Sequence, residues 1–275
     1  MLRYRRLSLR GVPVLFANSF PKSGTHLLTQ VLEGFPQVGP AVNSGLPAIV
    51  TFEGDTGRAR SEAEIRRDLQ RLLPGDIAYG HLHALPETLE LLSRPELAAY
   101  FILRDPRDVV VSHVHYVTEM EPSHIHHAYY AEVLHSFDER LQVSILGRPD
   151  FEVPGVPTPE EPLFPDIRQR FEPYLGWLDC PAVLCLRYED FNADRESALG
   201  QVFDHAVRRG FPAALPRPRA LAVLAASIDP QRSPTFRSGK SGGWRAQFTP
   251  EHKRLFKDVA GDLLIRLGYE KDNDW

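Results

Sequence analysis

Residues 16–28 read FANSFPKSGTHLL, and this stretch leads from an apolar segment through a turn of small residues into a helical pattern. Val14, Leu15 and Phe16 indicate a buried strand before the turn. Apolar residues from Leu27 to Phe35 then recur on one face of an amphipathic helix. The sequence therefore predicts a strand, a tight turn and a helix in direct succession.

This turn is rich in groups that bind anions. Ser23, Gly24 and Thr25 stand at the predicted helix start, where backbone N–H groups have no intrahelical acceptor and the helix dipole is positive. Lys22 adds a positive charge beside them. The turn is expected to attract a phosphate or sulfate, although Gly, Ser and Thr at such a place can also serve only to cap the helix.

The position of the lysine distinguishes this turn from the loop of nucleoside triphosphatases. In the pattern G-x-x-x-x-G-K-[ST] the lysine follows the second glycine, and the next hydroxyl residue holds Mg²⁺. Here Lys22 precedes Gly24 by two residues, and no predicted strand ends in an obvious magnesium-binding aspartate. The sequence favours metal-free transfer of an anionic group, with a P-loop small-molecule kinase as the alternative.

Composition predicts one domain over residues 1–275. A chain of 275 residues with 43% hydrophobic residues can bury a sizeable core. The 36 acidic and 32 basic residues give a net charge of -4, which argues against a nucleic-acid surface. No apolar run approaches the ~18 residues of a membrane span. Cys180 and Cys185 suit reduced thiols, so we expect a cytoplasmic protein.

A second strand-to-helix junction surrounds Arg104, which ends a predicted apolar strand. Asp105 fits the N-cap of the following helix, Pro106 its first position and Asp108 the reciprocal capping position. Ser112 lies about two turns into this helix. Arg104 and Ser112 are therefore both expected near the carboxyl ends of the strands, where open α/β sheets bind ligands.

Three further features complete the candidate site. A predicted short strand over residues 76–83 carries His81 and His83, and both are expected in one cleft because residues two apart face the same side of a strand. Another predicted strand ends at Tyr188. A basic, glycine-rich loop over residues 236–249 is suited to closing over a phosphate.

Residues 117–166 are predicted to form a proline-rich loop or lid, because prolines interrupt an otherwise irregular stretch. His124, His126 and His127 crowd together within it. No cysteine or clear carboxylate accompanies them, so we expect no metal site there. Solvated histidines, or histidines that line an acceptor pocket, are the favoured interpretation.

The first two motifs resemble those of sulfotransferases that use 3′-phosphoadenosine 5′-phosphosulfate (PAPS). Residues 20–27 are similar to the family's 5′-phosphosulfate loop, Y-P-K-S-G-T-[TN]-[WL], from which Phe20 and His26 depart. Residues 104–112, R-D-P-R-D-V-V-V-S, resemble its 3′-phosphate-binding motif almost letter for letter.

The later part of the chain extends this resemblance. The glycine-rich loop resembles the family pattern R-K-G-x-x-G-D-W-K-x-x-F-T, with Ser238 in place of lysine and Gly243 in place of aspartate. The strand that closes in Arg187-Tyr188-Glu189-Asp190 is similar to the family's [RK]-Y-E-[DE]. Together, the similar motifs span most of the chain.

The resemblance implies a PAPS-dependent sulfotransferase with a three-layer P-loop-type α/β fold, in which helices flank a mostly parallel central sheet. The predicted strand and helix units agree with that architecture. The implied reaction moves the sulfuryl group from PAPS to a hydroxyl of a small-molecule or carbohydrate acceptor and leaves adenosine 3′,5′-bisphosphate. The oligomeric state stays open, a homodimer included, and a catalytically inactive PAPS-binding module is a second alternative.

The resemblance also implies a role for each motif residue. Lys22 would neutralise charge on the leaving 5′-phosphate oxygen, and Tyr188 would approach the nucleotide. The residues that would donate hydrogen bonds to the 5′-phosphate are Ser23, Gly24, Thr25 and His26. The residues that would hold the 3′-phosphate are Arg104, Ser112, Arg237, Ser238 and Gly239.

The base is implied by a family motif, [KG]-[TG]-H-[LFY]-P, at the end of the second strand. Gly80-His81-Leu82 matches it best, so His81 is the expected base and His83, two residues later, is the alternative. The implied catalytic residues are His81, Lys22 and Ser112, and no metal is expected.

Overall fold

The computed structural model describes residues 8–152, 162–233 and 239–275. Its strands are β1 (Val14–Ser19), β2 (Val42–Asn43), β3 (Ile49–Val50), β4 (Asp76–His81), β5 (Leu97–Leu103) and β6 (Val183–Arg187). Its α-helices are α1 (Thr25–Glu33), α2 (Glu62–Leu69), α3 (Pro86–Ser93), α4 (Pro106–His115), α5 (Phe137–Leu146), α6 (Ile167–Phe171), α7 (Tyr188–Ala193), α8 (Arg195–Arg208), α9 (Arg217–Ala226) and α10 (Pro250–Arg266).

The chain divides into two compact units. The first, here called the sheet unit, comprises residues 1–51, 60–104 and 174–239 and contains all the strands named above. The second, here called the helical unit, comprises residues 52–59, 105–173 and 240–275. It contains α4, α5, α6 and α10.

The sheet has the strand order β2-β4-β1-β5-β6, and β3 also pairs with β4. Every one of these pairings is parallel. Asn18 pairs with Gly80 of β4, and Ser19 pairs with Ile102 of β5. The carboxyl ends of parallel strands meet at one edge, so the segments that follow β1, β4, β5 and β6 share that edge.

Helices cover one face of this sheet. Buried residues of α1, α8 and α9, among them Leu28, Val202 and Leu224, form one apolar cluster with Ala17 and Tyr100 of the strands. Burial of each such leucine or valine side chain contributes ~1.5–3 kcal/mol. This cluster is the main core of the sheet unit.

The opposite face is covered in a different way. Phe101 lies between Tyr100 and Ile102 in β5 and so faces away from the helix-covered side. Its ring lies 6.5 Å from that of Trp177 and 6.1 Å from that of Tyr174, both in the 3₁₀-helical segment Glu172–Asp179. Helix α3 also packs against β5. The predicted α/β class with a mostly parallel sheet flanked by helices is confirmed.

The starts of α2 and α4 are both capped by polar side chains. Ser61 and Glu64 form a capping box at the start of α2. The Asp105 carboxylate caps α4 by accepting a hydrogen bond from the N–H of Arg107, at 2.9 Å. Asp108, predicted at the reciprocal capping position, accepts the N–H groups of Gly242 and Trp244 with its carboxylate, at 2.7 and 2.9 Å. The latter contact was not visible in the sequence pattern.

The prediction that residues 117–166 lack regular structure was wrong in part. Two π-helical turns, Tyr116–Met120 and Tyr129–Val133, precede α5, whose capping box joins Ser136 and Glu139. That local pairing, rather than a long apolar periodicity, starts the helix. A lid function for this stretch stays a prediction. Within the described ranges, no helix is long and apolar enough to cross a membrane.

Candidate functional site

The loop after β1 holds its backbone in unusual conformations. Lys22 has φ 67°, a left-handed value that costs ~1–2 kcal/mol in a residue with a Cβ atom. Gly24, the N-cap of α1, has φ 104°. The N–H of Ser23 donates to the carbonyl of Phe20 at 3.1 Å and closes the turn between them. Backbone strain in a structurally constrained loop is frequent at binding and catalytic sites.

Gly24 is required by a close neighbour as well as by its φ angle. A Cβ atom at this position would lie 2.6 Å from Cδ2 of Tyr188 and 3.3 Å from Cδ1 of Ile102. The guanidinium of Arg104 lies over the same Tyr188 ring, 4.7 Å from its centroid. The fold thus brings Gly24, Tyr188 and Arg104 together from three separate strand ends.

Donors at this loop are available for an anion. The hydroxyl of Ser23 is buried and has no hydrogen-bond partner within the part of the chain that the structure describes. The N–H groups of Thr25, His26 and Leu27 open α1 and have no acceptor one turn earlier in that helix. Since the backbone N–H of Ser23 is used within the turn, its side chain is the group that remains for a ligand.

His81 ends β4 and is tied to the last residue of β1. Its Nδ1 lies 3.0 Å from the carbonyl oxygen of Ser19 and 3.0 Å from the Ser19 hydroxyl. A carbonyl oxygen can only accept, so Nδ1 carries the proton and the lone pair of the neutral ring is on Nε2. The Ser19 hydroxyl also lies 2.8 Å from Thr25 Oγ1. Hydrogen bonds therefore connect His81, through Ser19, to the first residue of α1.

Burial lowers the pKa of His81 from its ordinary value of 6.5. The hydrogen bond to Ser19 opposes this change, while the positive charges of His26 and Lys22 lower the pKa further. His81 is consequently neutral at pH 7, with its proton on Nδ1. Nε2 is then able to accept a proton, as a general base must.

His83 has different surroundings, because β4 ends before it. The side chain of Asn18 donates to the carbonyl of Leu82 at 3.0 Å and accepts its N–H at 2.8 Å, so Leu82 pairs with a side chain instead of a strand. Trp177 Nε1 donates to the same carbonyl at 2.8 Å. The predicted strand over residues 76–83 is therefore too long by two residues, and the alternation argument does not extend to His83.

The backbone and ring of His83 are held by other groups of the sheet unit. Its N–H donates to Thr51 Oγ1 at 3.0 Å, and its ring contacts Tyr174 edge to face with the centroids 4.7 Å apart. Burial lowers its pKa to about 4. These contacts describe a neutral histidine packed against an aromatic ring, although the choice of base between His81 and His83 stays a prediction.

The third motif is only partly within the described residues. Arg237 and Ser238 lie outside them, and their assignment to the 3′-phosphate stays a prediction. Gly239 has φ 64°, and its carbonyl accepts a hydrogen bond from Asn192 Nδ2 at 3.1 Å. Asn192 lies in α7, the helix that begins at Tyr188. The described end of the loop is thus attached to the helix that begins with Tyr188.

In the helical unit, the motif after Arg104 is mainly structural. Arg107 is 1% exposed, pairs with Asp105 at 2.8 Å and with Glu270 at 2.5 Å, and lies between the rings of Trp244 and Trp275 at 4.0 and 4.5 Å. Its guanidinium is saturated by protein groups. This position shows how a motif residue can serve packing instead of ligand binding.

Ser112 also belongs to the helical unit. It lies in α4, is half-buried, and its carbonyl accepts the N–H of Tyr116. The predicted contact of Ser112 with the 3′-phosphate stays a prediction. The structure does bring together, within the sheet unit, Lys22, Ser23, Gly24, Thr25, His26, His81, Arg104, Tyr188 and Gly239 around the carboxyl edge of the sheet.

Two positioning residues were missed in the sequence. Asn18 and Ser19 read there as the end of an apolar strand, yet both are completely buried and their side chains orient Leu82 and His81. A polar pair at the end of an apolar strand is an available signal, since buried polar groups need partners. Their partners lie more than 60 residues away, so the sequence could not name them.

No family model matches the chain, and no curated protein matches it. Among solved structures, it is similar to mouse sulfotransferase SULT7A1 complexed with PAP, with 19% identity, a TM-score of 0.59, and coverage of 92% of this chain and 84% of that one.

Two structures of retinol dehydratase are also similar, each at 16% identity. The complex with androsterone and the inactive cofactor PAP has a TM-score of 0.55 and coverage of 91% of this chain and 80% of that one. The complex with retinol and PAP has a TM-score of 0.58 and coverage of 91% and 81%. The chain therefore has the fold of these sulfotransferase and retinol dehydratase structures.

Proposed function

We propose that this protein is a PAPS-dependent sulfotransferase, which moves a sulfuryl group from PAPS to a hydroxyl of a small-molecule or carbohydrate acceptor. The observation that carries the proposal is the hydrogen-bonded connection from His81 through Ser19 to Thr25. It links a histidine whose proton is on Nδ1 to the first residue of α1, which supports His81 as the base and this helix start as the anion site. The similar solved structures, which are complexes with PAP, support the choice of nucleotide.

The residues at the loop after β1 fit an anionic group. The buried Ser23 hydroxyl lacks a partner in the described part of the chain, and the first N–H groups of α1 have no acceptor within that helix. Gly24 lets the loop pass close to the Tyr188 ring. Arg104, held over the Tyr188 ring, is placed on the same edge of the sheet. We assign the first group to the 5′-phosphate and Arg104 to the 3′-phosphate.

Each catalytic requirement then has a residue of this chain. PAPS, when bound, supplies the sulfuryl group and a phosphate as the leaving group. Nε2 of His81 takes up the proton of the substrate hydroxyl. Nδ1 retains its own proton and donates it in the hydrogen bond to the Ser19 carbonyl. The Lys22 ammonium stabilises negative charge that grows on the leaving oxygen. The left-handed backbone of Lys22 fixes the position and direction from which its side chain extends. This reduces the reorganisation needed during the reaction.

The acceptor is proposed only as a class. The two similar retinol dehydratase structures are complexes with androsterone and with retinol, which supports a small-molecule acceptor for this chain. A carbohydrate acceptor, homodimer formation and a cytoplasmic location stay predictions.

The test combines nucleotide binding with transfer. We expect adenosine 3′,5′-bisphosphate to bind more tightly than adenosine 5′-phosphate, because Arg104 contributes a charge-assisted hydrogen bond of ~1.5–3 kcal/mol to the 3′-phosphate. Calorimetry measures both affinities without an acceptor. Radiolabelled PAPS then reports transfer to a panel of phenols, sterols, alcohols and sugars.

The outcomes separate the alternatives left open by the sequence. Equal affinity for the two nucleotides would contradict the assignment of Arg104 to the 3′-phosphate. Tight binding without transfer to any member of the panel indicates a PAPS-binding module. Hydrolysis of ATP that depends on Mg²⁺, with no effect of PAPS, indicates the kinase alternative.

A further inference from the structure

Three histidines that lie apart in the sequence meet in the helical unit. One ring nitrogen from each of His113, His124 and His126 lies within 4.8 Å of the other two. His113 comes from α4, whereas His124 and His126 come from the connection between the two π-helical turns. His113 and His126 are buried, and His124 is half-buried, so water reaches one side of the group.

His126 carries the clearest sign of an intended ligand. Its Nε2 lies 2.9 Å from the carbonyl oxygen of Leu163, so Nε2 holds the proton and Nδ1 holds the lone pair. This buried Nδ1 has no hydrogen-bond partner among residues 8–152, 162–233 and 239–275. A buried acceptor without a partner is costly. A ring N–H given to a carbonyl is also the arrangement that orients histidines which bind metals.

His113 is oriented in the same manner. Its Nδ1 lies 3.2 Å from the Ser144 hydroxyl, and that hydroxyl lies 3.3 Å from the Val110 carbonyl oxygen. Because the carbonyl takes the hydroxyl proton, the hydroxyl accepts the Nδ1 proton of His113. The lone pair of His113 is therefore on Nε2, and Ser144 acts as an orienting group behind the ring.

His124 requires a small rearrangement to join the other two. Its Nδ1 accepts the backbone N–H of His126 at 3.2 Å, so binding through Nε2 moves its proton to Nδ1 and ends this contact. Ligand nitrogens around a tetrahedral zinc ion lie ~3.3 Å apart, given Zn–N bonds of about 2.0–2.1 Å. Binding must therefore draw the nitrogens closer than the present 4.8 Å limit.

We propose that His113, His124 and His126 form a Zn²⁺-binding site with water as the fourth ligand. Three neutral imidazoles without a thiolate or carboxylate suit zinc among the common metals. The ion would tie α4 to the connection between the π-helical turns. The sequence analysis expected no metal at His124, His126 and His127. In the structure, His127 Nδ1 lies 2.7 Å from the Val117 carbonyl oxygen, and His113 is the third member of the cluster.

The test uses the full chain, stripped with a chelator and then titrated with ZnCl₂ by calorimetry, without nucleotide. We expect one Zn²⁺ per chain, a higher midpoint of thermal unfolding with zinc, and visible absorption typical of tetrahedral Co²⁺ after cobalt substitution. His124→Gln removes a half-buried ligand and should abolish all three signals. His135→Gln, an exposed histidine near the same segment, is the matched control and should keep them.

A second variant tests the orienting hydroxyl without removing a ligand. Ser144→Ala should weaken zinc affinity by about 10- to 100-fold, as is usual when the group behind a ligand histidine is lost. Circular dichroism confirms that each variant is folded, and either His124→Gln or Ser144→Ala suffices for the comparison. Failure of the unmodified chain to bind zinc, or equal affinity in His124→Gln and His135→Gln, overturns the site.

Discussion

The loop after β1 and the start of α4 both carry charged residues from motifs that resemble one family, but their polar groups are used in opposite ways. The loop holds Lys22 at a left-handed φ of 67° and buries the Ser23 hydroxyl without a described partner. At the start of α4, Arg107 is paired with two carboxylates and Asp108 accepts two backbone N–H groups. The loop after β1 therefore retains backbone strain and a buried hydroxyl without a described partner, whereas the charged groups at the start of α4 are paired within the protein.

This difference shows how a motif residue can be assigned to binding or to stability. Arg107 is paired with carboxylates and packed against tryptophan rings, whereas Arg104, three positions earlier in the same motif, lies over the Tyr188 ring. A buried, satisfied charge stabilises the fold only while its partners remain. An unsatisfied donor has a free-energy gain still available from a ligand. The predictions below test this contrast, from the largest expected effect to the smallest.

His81→Ala should lower turnover by the ~10²–10⁴-fold expected for a lost general base and leave the affinity for adenosine 3′,5′-bisphosphate nearly unchanged. His83→Ala, which removes a ring packed on Tyr174, is the matched control and should lower turnover much less. Steady-state kinetics with a weakly acidic alcohol measure this effect, while an activated phenol should be partly spared. If His83→Ala is the inactive variant, the base has been assigned two residues too early.

Arg107→Met should lower the free energy of unfolding by about 3–5 kcal/mol, because Asp105 and Glu270 are left without their buried partner. Urea denaturation measures the change. Arg104→Met is the control within the same motif and should weaken nucleotide binding by ~1.5–3 kcal/mol with little loss of stability. The contrast between the two arginines fails if Arg104→Met is the less stable variant.

Lys22→Ala should lower turnover by about 10²–10³-fold, the loss typical of a removed oxyanion-stabilising donor, and weaken nucleotide binding by less. Lys22→Gly removes the same ammonium but also relieves the left-handed backbone. It should therefore be more stable than Lys22→Ala by up to ~1 kcal/mol. Kinetics and thermal unfolding on both variants separate the charge from the strain, and equal stability would show that φ 67° costs nothing.

Gly24→Ala should lower stability or nucleotide affinity by roughly 1–3 kcal/mol, because its Cβ would lie 2.6 Å from the Tyr188 ring. Gly45→Ala is the matched control, since Gly45 also has a positive φ, 68°, but nothing lies within 4 Å of its added Cβ. The difference between the two variants isolates the effect of the Tyr188 contact. Calorimetry with adenosine 3′,5′-bisphosphate and thermal unfolding measure it, and equal losses would remove Tyr188 as the cause.

The smallest effect concerns pH. Burial lowers the pKa of His83 and of His205 to about 4, and the charges of Arg208 and Arg209 add to this at His205. The unfolded chain takes up these protons near pH 6.5, whereas the folded chain does so only near pH 4. Stability should therefore fall as pH falls below 6.5, by at most ~1.4 kcal/mol per histidine and pH unit.

Unfolding midpoints in urea between pH 7.5 and about 5.5 measure this slope before most carboxylates titrate. His205→Gln should reduce the slope, since one of the histidines whose pKa is lowered by burial is removed. An unchanged slope in that variant would show that His205 is solvated in the folded protein.

Much of the fold follows from local sequence. The strand, turn and helix around Gly24, the Ser61 capping box and the Asp105 cap are all present in the structure. These features depend on side chains within four residues of one another, so periodicity and capping rules can predict them. The end of β4 was predicted less well, because Asn18 replaces a strand neighbour at Leu82 and so ends the pairing at His81.

The sequence by itself thus determined the main strand and helix units, the strand-turn-helix segment around Lys22 to Thr25, and the α/β class. Only the tertiary structure decided the partners of those elements: Tyr188 against Gly24, His81 on the Ser19 carbonyl, and Asp108 on the N–H of Trp244. Each of these contacts joins residues far apart in the chain. No local pattern encodes such a contact, because its free energy depends on which strands become neighbours and on which polar groups are buried together.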